Sequence, residues 1–426
     1  MTSAEALAAL RPLPPLAVAD RRALLATLRA TILASAADAV TAANDDFGGR
    51  SETDTLLADV LLVADAARYA RNHLARWAKP RRQPVPYPFQ LASAVLEPQP
   101  KGVIGIMAPW NYPFQLALMP AVDAIAAGNR VVVKPSEHTP RCAALIADIL
   151  AMLGDAARCV QGDATVAADF AAQPWDHLVF TGSTATGRKV MAAAAANLTP
   201  LTLELGGKCP AFVLPGANLA RAAHAILTAK AVNAGQTCVA PDTVFLIGHS
   251  IADFIIAGRA TGITADETAV MQPERLDRLR HGARIDGWFA TAPDDHPLHH
   301  EEIFGPILAL REETLAQAIA ATGTPLAIYL FGATAEEEAH VAARTRSGAL
   351  VCERALDHAA FHAMAFGGIG SSGFGRRNGE AGFLEFSNLR ARVRHGRFSL
   401  ARMFDYPRGD RARAIARRLV GLTSGR

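Results

Sequence analysis

From residue 102 onward, short apolar runs alternate with longer segments whose apolar residues recur at helical spacing; they fall at residues 103–107, 122–127, 131–133, 142–153 and 178–180. Such alternation predicts βαβ units, and therefore a parallel sheet covered by helices. A second alternating region, residues 212–351, predicts another α/β unit, with the chemistry-bearing residues at the seam between the two. Upstream, residues 2–78 are rich in Ala and Leu, and Leu24, Leu25, Leu28, Ile32 and Leu33 repeat at helical spacing, which predicts two or three amphipathic packing helices. Residues 79–100 break the pattern with Pro80, Pro84, Pro86, Pro88, Pro98 and Pro100. That density excludes a helix and predicts an edge hairpin or an excursion from the main body.

At 426 residues, half of them hydrophobic, the chain can bury two cores of ordinary size. Its net charge of +3 comes from 43 basic and 40 acidic residues without the clustered patch a phosphate-backbone binder needs, so no nucleic-acid partner is expected. Charge concentrates only in the tail, residues 390–426, where Arg411, Arg413, Arg417 and Arg418 meet just Asp405 and Asp410. It reads as a solvated face; an amphipathic helix over residues 412–422, against a partner subunit or an anionic membrane surface, is the weaker alternative. Five cysteines without a CxxC pair suggest neither a disulfide framework nor a zinc ribbon, and they fit a reducing compartment. No stretch reaches the ~18 uninterrupted apolar residues of a membrane span and the N-terminus lacks a signal pattern, so a cytoplasmic protein without a transmembrane segment is expected.

Cys238 and Glu204 are expected in two separate Gly-flanked turns, Ala234-Gly235-Gln236-Thr237-Cys238 and Leu203-Glu204-Leu205-Gly206-Gly207, whose glycines let a backbone approach closely. A thiol attacks carbonyls well, and a neighbouring carboxylate can then activate the water that cleaves the thioester. Alone, each has a plainer reading: a free cysteine is most often a small buried residue, and a glutamate at a strand end a solvated charge. A third element changes that balance. Pro109-Trp110-Asn111-Tyr112-Pro113 sets an Asn amide between two prolines after an apolar run, where a rigid donor suits a developing oxyanion.

Two further segments point to a ligand. Lys134 and Glu137 emerge at the carboxyl end of a predicted strand, where doubly wound sheets bind ligands. Gly182, Ser183 and Gly187 follow another strand and open a helix whose N–H groups suit a pyrophosphate, although a plain N-cap by Ser183 or Thr184 explains the same residues. The literal G-x-G-x-x-G at residues 368–373 is rejected as a phosphate loop, because it comes late, follows a loop and has no acidic residue at the required distance.

These motifs, in this order, are similar to those of aldehyde dehydrogenases, and residues 194–208 are most like the coniferyl-aldehyde branch; the likeness covers roughly residues 50–390. The resemblance implies an α/β fold with a Rossmann-type cofactor domain over residues 1–205, residues 79–100 being a bridging arm. A second α/β catalytic domain over residues 206–387 and an arm with a basic tail over residues 388–426 complete it. It implies oxidation of a small-molecule aldehyde, aromatic and coniferyl-type by the branch, to a carboxylate through a Cys238 thiohemiacetal and thioester. Glu204 would activate water, and Asn111 with the Cys238 N–H would hold the oxyanion. The implied cofactor is NAD, with NADP as the alternative. Lys134 would meet the adenosine ribose, Glu137 its 2′-hydroxyl, Glu302 the nicotinamide ribose and Phe304 the nicotinamide ring. A homodimer is expected.

The chain also departs from the pattern. The interval from Cys238 to Glu302 is short, with material missing around residues 248–266, which predicts a lost helix. Thr243 replaces an aromatic residue, residues 347–353 lack an expected Asn, and Arg376-Arg377-Asn378 stands where Tyr-His is expected. Two rival readings follow: a decayed paralogue that binds dinucleotide without turnover, and a coenzyme A-acylating dehydrogenase, against which Glu204 argues. His296, His299 and His300 beside Asp294 and Asp295, and His358 with His362, carry no thiolate or HExxH pattern, so no metal site is expected.

Overall fold

The computed structural model describes residues 1–264, 268–397 and 399–423; Asp266, at the end of the shortened stretch, and the last three residues of the arginine-rich tail lie outside them. By its contacts the chain divides into two units, Met1–Trp77 with Pro100–Phe386, and Ala78–Gln99 with Ser387–Arg426.

The first unit contains two predominantly parallel sheets among its described residues. In one, the spatial order is Gly373–Phe374, Leu201–Leu205, His177–Gly182, Val103–Met107, Arg130–Lys134 and Ala157–Cys159, antiparallel only at the first pair. Val103–Met107 and Arg130–Lys134 are buried at every residue, as strands covered on both faces must be, which is why they read as continuous apolar runs without alternation. The other sheet runs Arg284–Asp286, Phe289–Thr291, Leu308–Glu312, Pro241–Leu246, Cys209–Val213, Ala327–Phe331 and Ala349–Cys352, again antiparallel only at its first pair.

One helix matters most for the site. Pro113–Ala127 begins with proline at its first turn, where the missing N–H costs nothing, and is buried along all 15 residues. It stops at Gly128, whose φ of 96° is left-handed and whose lack of a side chain leaves room for the Arg21 guanidinium. The N-terminal region is more finely divided than its periodicity predicts. Helices Ser3–Leu10, Val18–Ala34 and Ala36–Phe47 are followed by a continuous helical stretch, Glu52–Asp54, Thr55–Leu61 and Leu62–Trp77, in which Thr55–Leu61 is a π-helical turn. Pro12, Pro14 and Pro15 separate the first two, and the left-handed Gly48 and Gly49 close the third. No single helix among the described residues is long and apolar enough to cross a membrane.

The second unit pairs Arg81–Gln83 with Ser93–Pro100 as an antiparallel hairpin, joined by the turn Tyr87–Phe89, and adds Ser387–Arg394 as a third strand. Its helix Asp410–Thr423 carries Arg411, Arg413, Arg417 and Arg418.

Candidate active site

Cys238 is placed by a loop whose backbone is forced into an unusual course. After the helix Leu219–Ala231, Asn233 (φ 52°), Ala234 (φ 51°) and Gly235 (φ 71°) are all left-handed, and only the last is a glycine. Such strain persists only where neighbours over-determine it. Here the Asn233 N–H donates to Asp54 Oδ2 (2.7 Å), and its amide donates to the Asn111 carbonyl (2.8 Å) and the Gln236 carbonyl (3.2 Å). Gln236 in turn donates to the Ala269 carbonyl (3.0 Å) and accepts from the Met271 N–H (2.8 Å). Beyond it, Thr237 bonds the Tyr112 hydroxyl (2.6 Å), and the Cys209 thiol donates to the Cys238 carbonyl (3.4 Å). The loop leaves Cys238 partly exposed on the wall between two cavities.

One cavity, about 120 Å³, is lined by Asn111, Glu204, Cys238, Gly182, Ser183, Glu302 and Phe304, so the three candidate catalytic residues and four of the candidate cofactor residues meet at one space. The other, about 370 Å³, presents Leu57, Leu62, Tyr112, Leu116, Phe366 and Arg377 beside Cys238.

Asn111 is buried and one of its amide hydrogens is engaged with the Gln236 carbonyl (3.0 Å). Its own carbonyl accepts from Arg50 Nη1 (2.8 Å). Arg50 also pairs with Asp59 (2.9 Å), both side chains being wholly buried, and Asp59 accepts from the Phe114 and Gln115 N–H groups (3.1 and 2.8 Å). A carboxylate at a helix N-terminus satisfies orphan donors and meets the positive end of the dipole. The π-helical turn brings Asp59 to that spot. Sequence reasoning missed Arg50 and Asp59; the signal available was an acidic residue inside the apolar run Leu56-Leu57-Ala58-Asp59-Val60-Leu61.

Glu204 lies inside the strand Leu201–Leu205, opposite Thr181 on one side and Gly373 on the other, and not in a turn as its flanking glycines suggest. Burial pushes its carboxyl above the ordinary glutamate range, while Arg377, whose Nε donates to Oε1, opposes the shift. Burial also pushes the Cys238 thiol up to about 12, with the Glu302 and Glu204 carboxylates adding to the rise and Arg377 working against it. At neutral pH the sulfur of this arrangement is a thiol.

On the cofactor side, Lys134 Nζ meets Glu137 (2.7 Å) at the carboxyl end of its strand. Burial alone would raise Glu137, but hydrogen bonding to the Lys134 ammonium leaves it below the usual glutamate value. Ser183 caps the helix Thr184–Ala195, accepting from the Thr186 N–H (3.2 Å), so the plain N-cap reading holds at this residue and the other N–H groups of that turn stay available. Gly187 does a packing job: a Cβ there would stand 2.6 Å from a Leu205 methyl. Glu302 accepts from the Gly207 N–H (3.2 Å), and burial, followed by the Asp242 carboxylate, raises it to about 7. Its loop is held by Lys208, which bonds Asp242 and the carbonyls of Leu298 (2.8 Å) and Glu301 (3.0 Å). Phe304 (φ 51°) sets its ring edge-on to Trp110, with centroids 5.6 Å apart.

A cavity of about 690 Å³ runs past Ser183, Thr184, Gly206, Gly207, Arg275 and Glu302. A Cβ on Gly206 would meet the Glu302 carboxylate and oblige that side chain to shift, so the bare backbone here lets Glu302 approach closely. An open helix N-terminus at Ser183 and a cleft that also presents the Gly206 and Gly207 backbone and the Glu302 carboxylate together fit a dinucleotide. The histidines are otherwise occupied: His296, His299 and His300 bond the carbonyls of His281, Ala292 and Asp294. Among the described residues, no group of three or more His, Cys, Asp or Glu side chains is placed to hold a metal ion.

The sequence matches the Aldehyde dehydrogenase family over residues 2–261 and 275–391. It is 38% identical over 415 residues to a probable coniferyl aldehyde dehydrogenase of Pseudomonas aeruginosa, covering 89% of this chain and 87% of the relative. It is likewise 38% identical over 397 residues to a coniferyl aldehyde dehydrogenase of Pseudomonas sp. strain HR199, covering 83% and 81%. The solved structure of the substrate-bound state of Staphylococcus aureus AldH superposes with a TM-score of 0.87 at 28% identity, covering 93% and 94% of the two chains. The chain belongs to the aldehyde dehydrogenase family. It is an NAD(P)-dependent enzyme that oxidises aldehydes to carboxylates, with the α/β fold of that family. The match is interrupted at residues 262–274, overlapping the end of the stretch in which a lost helix was expected, yet Ile251–Arg259 is helical within that stretch.

Proposed function

We propose that the chain oxidises an aromatic, coniferyl-type aldehyde, with Cys238 as nucleophile, Asn111 as oxyanion donor and Glu204 as the base that activates water. One observation carries this reading: Cys238 stands between an apolar cavity of about 370 Å³ and the smaller space it shares with Asn111, Glu204 and Glu302. The larger cavity is within the range of small-ligand sites and offers Tyr112, Leu116 and Phe366 to a planar ring.

In the proposed mechanism the Cys238 sulfur adds to the aldehyde carbon while its proton passes to a neighbouring carboxylate. The free N–H of Asn111, with the Cys238 N–H, receives the charge that develops on oxygen, and its rigidity comes from the Gln236 and Arg50 bonds. A bound dinucleotide supplies the acceptor for the hydride that leaves the carbon. Lys134 and Glu137 would hold its adenosine ribose, the turn at Gly182 and Ser183 its pyrophosphate, and Glu302 and Phe304 its nicotinamide end. Glu137 beside the 2′-hydroxyl favours NAD over NADP. Glu204 then takes a proton from the water that hydrolyses the thioester. A buried base next to the sulfur favours hydrolysis over transfer to coenzyme A, and the intact trio disfavours a decayed paralogue.

We assign residues 1–205 and 206–387 as cofactor and catalytic domains, with 79–100 and 388–426 as arms, in a cytoplasmic homodimer. Exposed Leu389 and Val393 on the strand Ser387–Arg394 support pairing through the arms. The test is an aromatic and aliphatic aldehyde panel read by absorbance of reduced nicotinamide with each cofactor. Aromatic aldehydes are expected to dominate with NAD. Turnover that survives Cys238→Ser, or dinucleotide binding with no aldehyde oxidised, would sink the reading.

A further inference from the structure

The pair Arg376-Arg377 is the departure from the family pattern that lies against the site. Arg377 Nε donates to Glu204 Oε1, with the two side chains 5% and 4% exposed. Its guanidinium carbon lies 4.9 Å from the centroid of the Phe366 ring, and its main chain is paired to Phe366 in both directions at 2.9 Å. Next to it, the Asn378 N–H donates to Asp123 on the long buried helix (2.9 Å). The backbone at Arg377 is thus anchored on both sides, and its guanidinium lies against the Phe366 ring where it meets the carboxylate. One of its nitrogens, Nη1, is buried without a hydrogen-bond partner, and the residue lines the 370 Å³ cavity together with Cys238. A buried polar group left unsatisfied is costly, so its retention beside a reacting centre calls for a role.

The geometry points to Arg377 as the positioning residue for Glu204 in thioester hydrolysis, holding the carboxylate by a buried ion pair in one orientation at the cavity shared with Cys238. This rests on the function proposed above. In the step it serves, the water oxygen bonds to the acyl carbon and one water proton goes to the Glu204 carboxylate. The C–S bond breaks with its electron pair on sulfur, the product leaves as the carboxylic acid, and the proton on Glu204 returns to the Cys238 sulfur. Burial is the largest influence against the charge of Glu204; of the charged groups around it, Arg377 and Arg376 favour the anion, and Glu385 and Asp123 oppose it. Without Arg377 the balance tips toward the protonated acid, so the base loses both its orientation and its charge at neutral pH.

A chromogenic p-nitrophenyl ester reports on this step without cofactor, because acylation of Cys238 releases nitrophenolate and deacylation then limits turnover. With Arg377→Gln, the initial burst is expected to remain at one equivalent per site while steady turnover falls about tenfold or more, and the ascending limb of its pH profile moves about one unit upward. Arg377→Lys keeps the charge and loses the fork, so its limb should stay at the wild-type position with intermediate turnover. Wild-type turnover and an unmoved limb in Arg377→Gln would overturn the assignment, as would loss of the burst itself, which would place Arg377 in acylation or folding. If circular dichroism shows Arg377→Gln unfolded, Arg377→Lys decides alone, wild-type turnover there refuting the role. Failure of the underlying function is distinguishable, since the wild-type enzyme would then show no burst at Cys238.

Discussion

Removing the charge of Glu302 should make the Cys238 thiol more reactive, and only above neutral pH. Glu302 is the largest charge effect on Cys238 after burial, and it is itself raised to about 7. Its influence therefore switches with pH. Below about 7 it is mostly neutral and leaves the thiol alone; above that it is an anion and holds the thiol proton in place. A like charge within about 4–6 Å moves a pKa by roughly 1–3 units, and the low end of that range, about one unit or ~1.4 kcal/mol, is taken for this pair. Because alkylation requires thiolate, its rate far below the thiol pKa scales with the thiolate fraction. In Glu302→Gln, iodoacetamide should label Cys238 about tenfold faster than in the wild type near pH 9, and at nearly the same rate near pH 6. Peptide mass spectrometry of the cofactor-free enzyme separates Cys238 from the other four thiols, of which Cys352 is exposed. Rate curves that stay parallel from about pH 6 to 9 would show that the Glu302 charge does not reach the sulfur, and the electrostatic reading of the small cavity would fall with them.

Asn111→Ala removes the side-chain oxyanion donor and should lower kcat by about 10²–10³-fold, measured with saturating aldehyde, while far-UV circular dichroism stays unchanged. An effect below about fivefold would return the oxyanion to backbone donors alone. Asp59→Asn keeps an amide oxygen for the Phe114 and Gln115 N–H groups but turns an NH2 toward Arg50 and leaves it an uncompensated buried cation, so urea denaturation should register a loss of about 3–5 kcal/mol. Pairing Arg50→Met with Asp59→Leu removes the unpaired charge and should recover part of that stability, the Phe114 and Gln115 N–H groups still lacking an acceptor, yet activity should remain low because the Asn111 carbonyl has lost its Arg50 donor. Recovery of activity along with stability would contradict the positioning role given to this pair.

The parts of the fold that the sequence made legible are those in which one physical demand dominates. Residues 131–133 and 178–180 read as strands because parallel strands under two helical layers admit only apolar side chains. The prolines of residues 79–100 announced a hairpin because they forbid helix. Cys238, Asn111 and Glu204 were legible as residues that belong together, and they do line one cavity. The secondary structure around them was less so. Glu204 sits in mid-strand because the acidic side chain finds Arg377 across the sheet edge, 173 positions away in sequence, and nothing local advertises such a partner. Likewise, Ala234 adopts left-handed backbone that its type disfavours, beside an Asn233 whose bonds to Asp54, Asn111 and Gln236 fix the loop.

Arg377 is the sharpest case of the difference between the two kinds of information. As sequence, it registers only as a mismatch with the expected Tyr-His and so suggests weakened chemistry. In the folded chain the same residue sets a guanidinium against the buried Glu204 carboxylate, in the wall of the cavity that Cys238 also lines. A buried anion is expensive unless paired, and a guanidinium pairs it with fixed geometry and a charge that does not titrate near neutral pH, which an imidazole cannot offer. The departure thus falls at the carboxylate proposed above as the hydrolytic base. It alters the conditions under which the base works and leaves Cys238, Asn111 and Glu204 lining the same cavity.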